Sequence, residues 1–449
     1  MAHAPADRVT LTPMIRSILS VGVAVAIGSV VVAPASAAPE RVPPWPSVRS
    51  ALPAGFQRPA TTTSDVYLPR LKQRLDKRVR ASALGDDVAV RVVDLTSAEA
   101  VYDHRGSVPM VPASTMKTAA ALAVLSARGA EHRLVTRAVL DEETRRLTIV
   151  GAGDPLLSSE EVDRLAEDVA ESLRDSEWED TKLDIAYDDT RFAQPGTPAG
   201  WYGSYVGQYS ANPTALTRYG SMSADSAGDT GRLFRKSVRS HGVRTDPGVD
   251  RKAAPPDSRV LAETEGHTVA EAIWPMLRNS DNTIAEIMIR HVADARGLPT
   301  TTTGSASAVR AELARLGVPV GGMRSVDGSG LSRANKINAE TLVSITRAAM
   351  DPESPGLAAG FRSAAFPLAG RTGTLEDRFD ARGTRCAQGR ILAKTGTLSD
   401  VLALSGVASS TDGRLRAFAI VVNGKPSWAS LSTARDRVDR IAAAVTGCR

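Results

Sequence analysis

Aromatic residues make up 4% of this 449-residue sequence, which also has only two cysteines and six histidines. With so few aromatics, and with no lysine- or arginine-rich run interleaved with them, there is no stacking platform of the kind single-stranded nucleic acid needs, so nucleic acid is excluded as a partner. The histidines are scattered without metal-ligand spacing, which predicts no metal, and no motif asks for a cofactor. Beyond the first 37 residues no stretch is long and apolar enough to span a bilayer. The formal net charge of +5 is small for this length. It gives a weak bias toward anionic surroundings such as membrane or wall polymers. Internal repeats are absent.

What remains is an ordinary globular composition, 42% hydrophobic and 23% charged, long enough for two or three domains. Residues 1–37 have the three parts of a secretory signal: Arg8 and Arg16, an apolar run from Ile18 to Val32, and Ala35-Ser36-Ala37 as a small-residue cleavage site. Cleavage after Ala37 is expected, because the run falls short of the ~20 residues of a spanning anchor. Loss of Asp7, Arg8 and Arg16 leaves the mature chain at +4. Residues 38–66, rich in Pro, Ser and Thr, read as a spacer.

From Tyr67 the pattern becomes that of a folded domain. Leu68, Leu71, Leu75 and Val79 recur at steps of three and four, the stripe of an amphipathic helix. Val88–Leu95 and Ala100–Tyr102 read as a strand pair, and Ala119–Leu125 as part of a buried helix beginning near Ser114. Residues 67–133 thus form a first part of the main domain. Residues 134–257, with short strand-like runs and many turn residues, read as an inserted domain, with Pro247, Gly248, Pro255 and Pro256 marking its exit. Residues 258–449 return to the main domain with helices around Ile273 and Ile284–Val292, strands at Val401–Ala408 and Leu415–Val422, and a last helix from Thr433 to Val445. Strands clustered near both ends of the chain around a helical middle predict an α+β fold with a sheet closed by both termini.

Three short motifs follow one another: Ser114-Thr115-Met116-Lys117, Ser280-Asp281-Asn282 and Lys394-Thr395-Gly396. On a helix, residues i and i+3 share a face, so the Lys117 amine can reach the Ser114 hydroxyl and take its proton. To act as that base Lys117 must be neutral, so its pKa has to fall from ~10.4 toward ~7, about 4 to 5 kcal/mol of differential stabilisation. Burial and the second cation, Lys394, are both expected to push it that way. Ser280 and Asn282, two apart, can point into one cleft if the backbone there is not helical. Ser280 could then relay a proton and Asn282 hold an amide, although from this triplet alone a plain surface turn beginning a helix at Asn279 to Thr283 is the better reading. Lys394 follows Ile391-Leu392-Ala393, so it sits on a strand. There Lys394, Thr395 and Thr397 offer a cation and two hydroxyls to a carboxylate, and Gly396 leaves room for a substrate backbone. Arg371-Thr372-Gly373 nearly repeats the third motif, but its lead, Pro367-Leu368-Ala369-Gly370, is turn-like and favours a structural loop.

Together the motifs form the signature shared by β-lactamases and penicillin-binding proteins. With Pro112-Ala113 before Ser114, Gly151-Ala152-Gly153-Asp154-Pro155, Ala285-Glu286 after Asn282, and Asp327-Gly328-Ser329-Gly330-Leu331-Ser332, the chain resembles the low-molecular-mass class C penicillin-binding proteins, the D-alanyl-D-alanine carboxypeptidase and endopeptidase family. That resemblance implies a serine β-lactamase/DD-peptidase-like domain, an antiparallel sheet with helices, interrupted by an insertion after the nucleophile helix. It implies acylation of Ser114, Lys117 as general base, Ser280 and Asn282 on the proton path and substrate amide, and Lys394, Thr395 and Thr397 on the terminal carboxylate. It also implies an oxyanion hole from the backbone N–H groups of Ser114 and Thr397. Its partners would be peptidoglycan stem peptides and β-lactams, met in the periplasm, the cell wall or outside a bacterium, with peripheral association at a wall or membrane surface. The stretch between Lys117 and Ser280 is shorter than is usual in the family, which leaves open whether a second, nested insertion exists.

Gly153-Asp154-Pro155 and Asp327–Leu331 read as structural turns, and Glu286 as a helix residue with local contacts. Cys386 and Cys448 are expected to form a disulfide tying the last helix to the segment entering the Lys394 strand, although two cysteines alone do not establish pairing. Two rival readings share the motifs. A β-lactamase needs a deacylation loop of the Glu-x-x-Leu-Asn kind, and none lies between Lys117 and Ser280. A catalytically weak sensor module would have no need of an activated nucleophile.

Overall fold

A computed structural model describes residues 67–351 and 366–448, so the expected signal (1–37) and spacer (38–66) lie outside the described residues. The main sheet has five antiparallel strands in the order Ile391–Thr397, Leu402–Ser409, Leu415–Val422, Val88–Asp94 and Ala100–His104. N-terminal and C-terminal strands meet where Val88–Asp94 pairs with Leu415–Val422, so both ends of the folded chain close one sheet.

Its three central strands are mostly apolar and buried along nearly their whole length because both faces are covered. Alternate side chains supply two separate cores. Val90, Val92, Phe418, Ile420 and Val422 pack with Leu71, Leu75 and Val79 of the Tyr67–Arg80 helix and with Val438, Ile441 and Val445 of the Leu431–Val445 helix. Ala89, Val93, Ala417, Ala419 and Val421 face a helical layer built from Met116–Arg128, Val269–Arg278, Asn282–Ala295, Thr302–Arg315 and Ala339–Ala349. At the middle of that layer, Met116–Arg128 is buried from Met116 to Leu125, and its run of alanines at 119–121 and 123 lets the neighbouring helices approach.

The segment after this helix carries a second five-stranded sheet, ordered Asp250–Arg251, Asp184–Asp188, Arg146–Val150, Arg137–Asp141 and Arg259–Glu263, with parallel pairing between its first three strands. One apolar cluster fills it, joining Leu140, Leu147 and Ile149 to Val162, Leu165 and Val169 of one helix and Phe234 and Val238 of another. The first of those helices, Ser159–Leu173, begins with a capping box in which Ser158 and Glu161 satisfy each other's backbone N–H groups. Strand Arg259–Glu263 lies beyond residue 257, where the prolines suggested the insertion had ended. It turns back to pair with Arg137–Asp141, so Pro255 and Pro256 lie between two strands of one sheet, Asp250–Arg251 and Arg259–Glu263.

Cys386 and Cys448 are joined by a disulfide, their Cα atoms 6.0 Å apart. It fastens the residue just beyond the last helix to the turn that leads into Ile391–Thr397. Closing a loop of 62 residues contributes roughly 4 kcal/mol in the chain-entropy model. Alkylation of the denatured, unreduced protein should therefore find no free thiol, and Cys386→Ser/Cys448→Ser should lower unfolding stability by up to that amount. Two titratable thiols in protein purified under oxidising conditions would contradict the pairing.

Candidate active site

The three motifs come from different elements and meet at the edge of the main sheet. Ser114 lies in a tight turn, Ala113–Thr115, immediately before the Met116–Arg128 helix. Ala113 has φ +48°, a left-handed conformation that costs a non-glycine residue on the order of 1 to 3 kcal/mol and persists only where its surroundings enforce it. Two glycines do so. A Cβ at Gly330, whose own φ is +82°, would stand 1.9 Å from the Ala113 carbonyl oxygen, and one at Gly396 would stand 2.7 Å from that of Pro112. Gly396 was expected to leave room for substrate. The same Cβ would stand 3.1 Å from Ala113 Cβ, so the Ala113–Thr115 turn packs against this glycine.

One helical turn after Ser114, the fully buried Lys117 places Nζ 3.0 Å from Ser114 Oγ, 2.7 Å from Asn282 Oδ1 and 2.7 Å from the Ser329 carbonyl oxygen. Burial lowers its pKa to about 8, against the opposing pull of Asp327, Asp281 and Glu286. As an ammonium it donates to all three oxygens. As a neutral amine its two N–H bonds satisfy Asn282 and Ser329, which leaves the lone pair directed at the Ser114 hydroxyl.

Ser280 has φ +65°, and Asp281 after it is extended and caps the Asn282–Ala295 helix by accepting from the Ile284 N–H. This non-helical break turns Ser280 and Asn282 into the same cleft. Ser280 Oγ accepts from Lys394 Nζ at 2.9 Å, and the same amine donates to the Thr395 carbonyl at 2.8 Å. Lys394 is held well below its ordinary pKa, first by burial and then by the charge of Lys117. The sequence suggested that Lys394 would help neutralise Lys117. In the structure burial lowers both amines, and the repulsion adds to it at Lys394. An incoming carboxylate would favour the protonated form of Lys394 again.

Strand alternation puts Thr395 and Thr397 on one face of Ile391–Thr397, with Lys394 and Gly396 on the other. Thr395 donates to Thr374 Oγ1 at 2.8 Å. Thr374 follows the near-repeat at Arg371, so the box set aside as a structural loop supports the site through its fourth residue. Asn282, expected to hold a substrate amide, donates its Nδ2 to the Tyr209 carbonyl at 2.8 Å.

Sequence reading missed the site's second wall. Residues 199–211 of the insertion return to the cleft, where Ala199 accepts from Ser332, Trp201 Nε1 donates to Asp327 at 2.7 Å, and the Ala211 N–H donates to Thr283. Trp201, Tyr205 and Tyr209 form a ring-to-ring series at 5.9 and 5.3 Å. A cavity of about 130 Å³ opens beside Ser280 and Asn282, bordered by Tyr209, Arg218, Met222 and Ile284. The Asp327–Ser332 loop was read as a turn and is one, but Ser329 in it supplies an acceptor to Lys117.

A family model described as D-Ala-D-Ala carboxypeptidase 3 (S13) family matches residues 71–220 and 211–445. The chain is 30% identical to a carboxypeptidase of Mycobacterium tuberculosis over 364 residues, 75% of this chain and 76% of the relative. It is also 30% identical to a D-alanyl-D-alanine carboxypeptidase of Actinomadura sp. over 459 residues, 82% of this chain and 84% of the relative. Among solved structures, penicillin binding protein 4 of Haemophilus influenzae shares the fold with a TM-score of 0.69 at 18% identity, covering 86% of this chain and 98% of that one.

Gly330→Ala tests the geometry of the Ala113–Thr115 turn. At Gly129, where φ is also positive but nothing lies within 4 Å of an added Cβ, alanine costs only backbone strain. Gly330→Ala should be more destabilising than Gly129→Ala by roughly 1 to 3 kcal/mol in denaturant unfolding, the usual range for overpacking. Equal losses would show that Gly330 does not brace Ala113.

Proposed function

Because the chain belongs to the D-Ala-D-Ala carboxypeptidase 3 (S13) family and is a penicillin-binding serine D-alanyl-D-alanine peptidase, we propose that Ser114 is its nucleophile and Lys117 the general base. One observation carries this assignment: a buried amine, lowered to about pKa 8, stands 3.0 Å from a serine hydroxyl while two other oxygens occupy its remaining positions. Near neutral pH part of the population then holds a free base already in place.

The reaction follows from that arrangement. Lys117 takes the Ser114 proton as Oγ attacks the penultimate D-alanine carbonyl. Backbone N–H groups of Ser114 and Thr397 receive the developing oxyanion. The C–N bond breaks, and the departing D-alanine amine takes a proton passed from Lys117 through Ser280. Water then hydrolyses the Ser114 ester: Lys117 accepts the water proton as the C–O bond forms and returns it to Ser114 Oγ as the ester bond breaks, which restores the free hydroxyl and the neutral amine. Lys394, Thr395 and Thr397 receive the substrate's terminal carboxylate, and Asn282 orients Lys117 and the substrate amide. A β-lactam enters the same path, but its ring-opened acyl group stays on Ser114. We further infer export by the N-terminal signal, with peripheral contact at the wall or membrane surface.

Incubation with penicillin should add one ligand mass to the peptide containing Ser114, and Ser114→Ala should remove the adduct. Labelling that persists in Ser114→Ala would refute the nucleophile.

The carboxylate pocket gives a separate expectation. An amidated D-alanyl-D-alanine peptide would leave Lys394 and the threonine hydroxyls without their partner, so kcat/KM should fall about tenfold or more relative to the acid. Lys394→Ala should slow cleavage of the acid and acylation by penicillin together. Equal rates on acid and amide in the wild-type protein would remove the pocket from the account.

A further inference from the structure

Glu286 is buried in the core, at 1% exposure, one turn beyond Asn282 on the same helix face. A carboxylate is costly to bury, and this one is only partly compensated. Oε1 accepts from the backbone N–H groups of Gly328 at 3.0 Å and Ser329 at 2.8 Å. Oε2 has no hydrogen-bond partner, and Arg290 Nη1 is 3.9 Å from it. Arg290 is itself buried, donates to the Glu286 main-chain carbonyl, and leaves its Nε unpaired. Such an arrangement is poor value for stability alone, since an apolar residue of similar size is often neutral or better at a buried ionic site.

The two N–H groups held by Glu286 belong to the two peptides that immediately precede the Ser329–Gly330 peptide, whose carbonyl reaches Lys117. With Asp327 accepting from the Gly330 and Ser332 N–H groups at 2.8 and 2.7 Å, the loop has no freedom to turn the Ser329 carbonyl away. Gly328 is required for the approach, because a Cβ there would stand 2.6 Å from the Ala285 carbonyl oxygen. We propose that Glu286 is a positioning residue for the peptidase reaction: it aims the Ser329 carbonyl at Lys117 and, through its negative charge, sets how readily Lys117 gives up its proton. This rests on Lys117 as the base.

The groups facing Lys117 are Asp281 at the cap of the Asn282–Ala295 helix, Glu286 on that helix, Asp327 on the loop and Lys394 on the edge strand. Those facing Glu286 are Asp327 and Arg290. Burial, then Asp327, raises Glu286 to about 7, so it is charged where Lys117 titrates near 8. Its anion holds the Lys117 proton on. Removing the charge while keeping an acceptor should lower the Lys117 pKa.

The test compares wild type, Glu286→Gln and Glu286→Ala in acylation by benzylpenicillin across pH, with rates expressed per site titrated by the same drug. In Glu286→Gln the acidic limb should move down by on the order of 0.5 pH unit, with the high-pH plateau kept within a few-fold. In Glu286→Ala the plateau itself should fall about tenfold, because the Ser329 carbonyl is no longer aimed. The Lys117 amine, followed by NMR in lysine-labelled wild type and Glu286→Gln, should shift in the same direction as the limb. An unmoved limb and unmoved amine in Glu286→Gln would overturn the proposal. So would a Glu286→Ala protein with fewer titratable sites but wild-type rate per site, the mark of a merely structural residue. Wild type that penicillin does not acylate would defeat the nucleophile assignment instead, and the amine titration would still decide the role of Glu286.

Discussion

Everything at the site depends on one lysine kept out of water. Lys117 has no exposure, and its amine has three oxygens around it, one of which belongs to Ser114. Burial alone would make the amine strongly acidic as an ammonium, and burial with paired carboxylates would leave it a permanent cation. Asp327, Asp281 and Glu286 offset part of the burial without reversing it, which leaves the pKa near 8. An amine of that pKa is partly neutral near neutral pH, which is what the proposed role of general base requires. The helical layer exists in good part to keep this pocket dry: Met116–Leu125 is buried on every side, and so is most of Asn282–Ala295.

The second constraint is closeness of backbone to backbone. Ser114 follows a residue in a left-handed conformation, and Ala113 is held there from two sides by Gly330 and Gly396, neither of which could carry a side chain without moving it. These contacts link the strand bearing Lys394, the loop bearing Ser329 and the turn bearing Ser114 into one rigid unit. That is how residues separated by more than 200 positions are fixed to within a hydrogen bond. Ala113 and Ser280, two of the eight non-glycine residues with positive φ among the described residues, stand beside the two lysine amines of the site, where the surrounding packing rather than propensity sets the local conformation.

Much of this was legible in the residues. Apolar runs at Val88–Leu95 and Leu415–Val422 announced strands, the Leu71, Leu75 and Val79 stripe announced a helix, and three spaced motifs announced the chemistry. What was hidden depended on long-range contact. Glu286 on a helix and Ser329 in a glycine-rich turn carry no signal of their own, because their roles arise from a hydrogen bond to a distant backbone. Gly396 had a local reason, room for substrate, and the structure adds a long-range one in its packing against Pro112. Prolines and glycine mark a turn equally well between domains and between strands, and the strand just beyond Pro255 and Pro256 pairs back to Arg137–Asp141. One missed signal was available: Trp201, Tyr205 and Tyr209 at four-residue spacing, in a chain with so few aromatics, mark the part of the insertion that returns to the cleft.

The most direct test is the titration of Lys117 itself. In protein carrying isotope-labelled lysine, the Lys117 side-chain resonance can be assigned by its loss in Lys117→Met and followed by NMR against pH. It should titrate with a midpoint near 8, in the free protein and before any substrate is added. A midpoint near the ordinary lysine value of ~10.4 would mean that the amine is a permanent cation at neutral pH, and that something other than Lys117 takes the Ser114 proton.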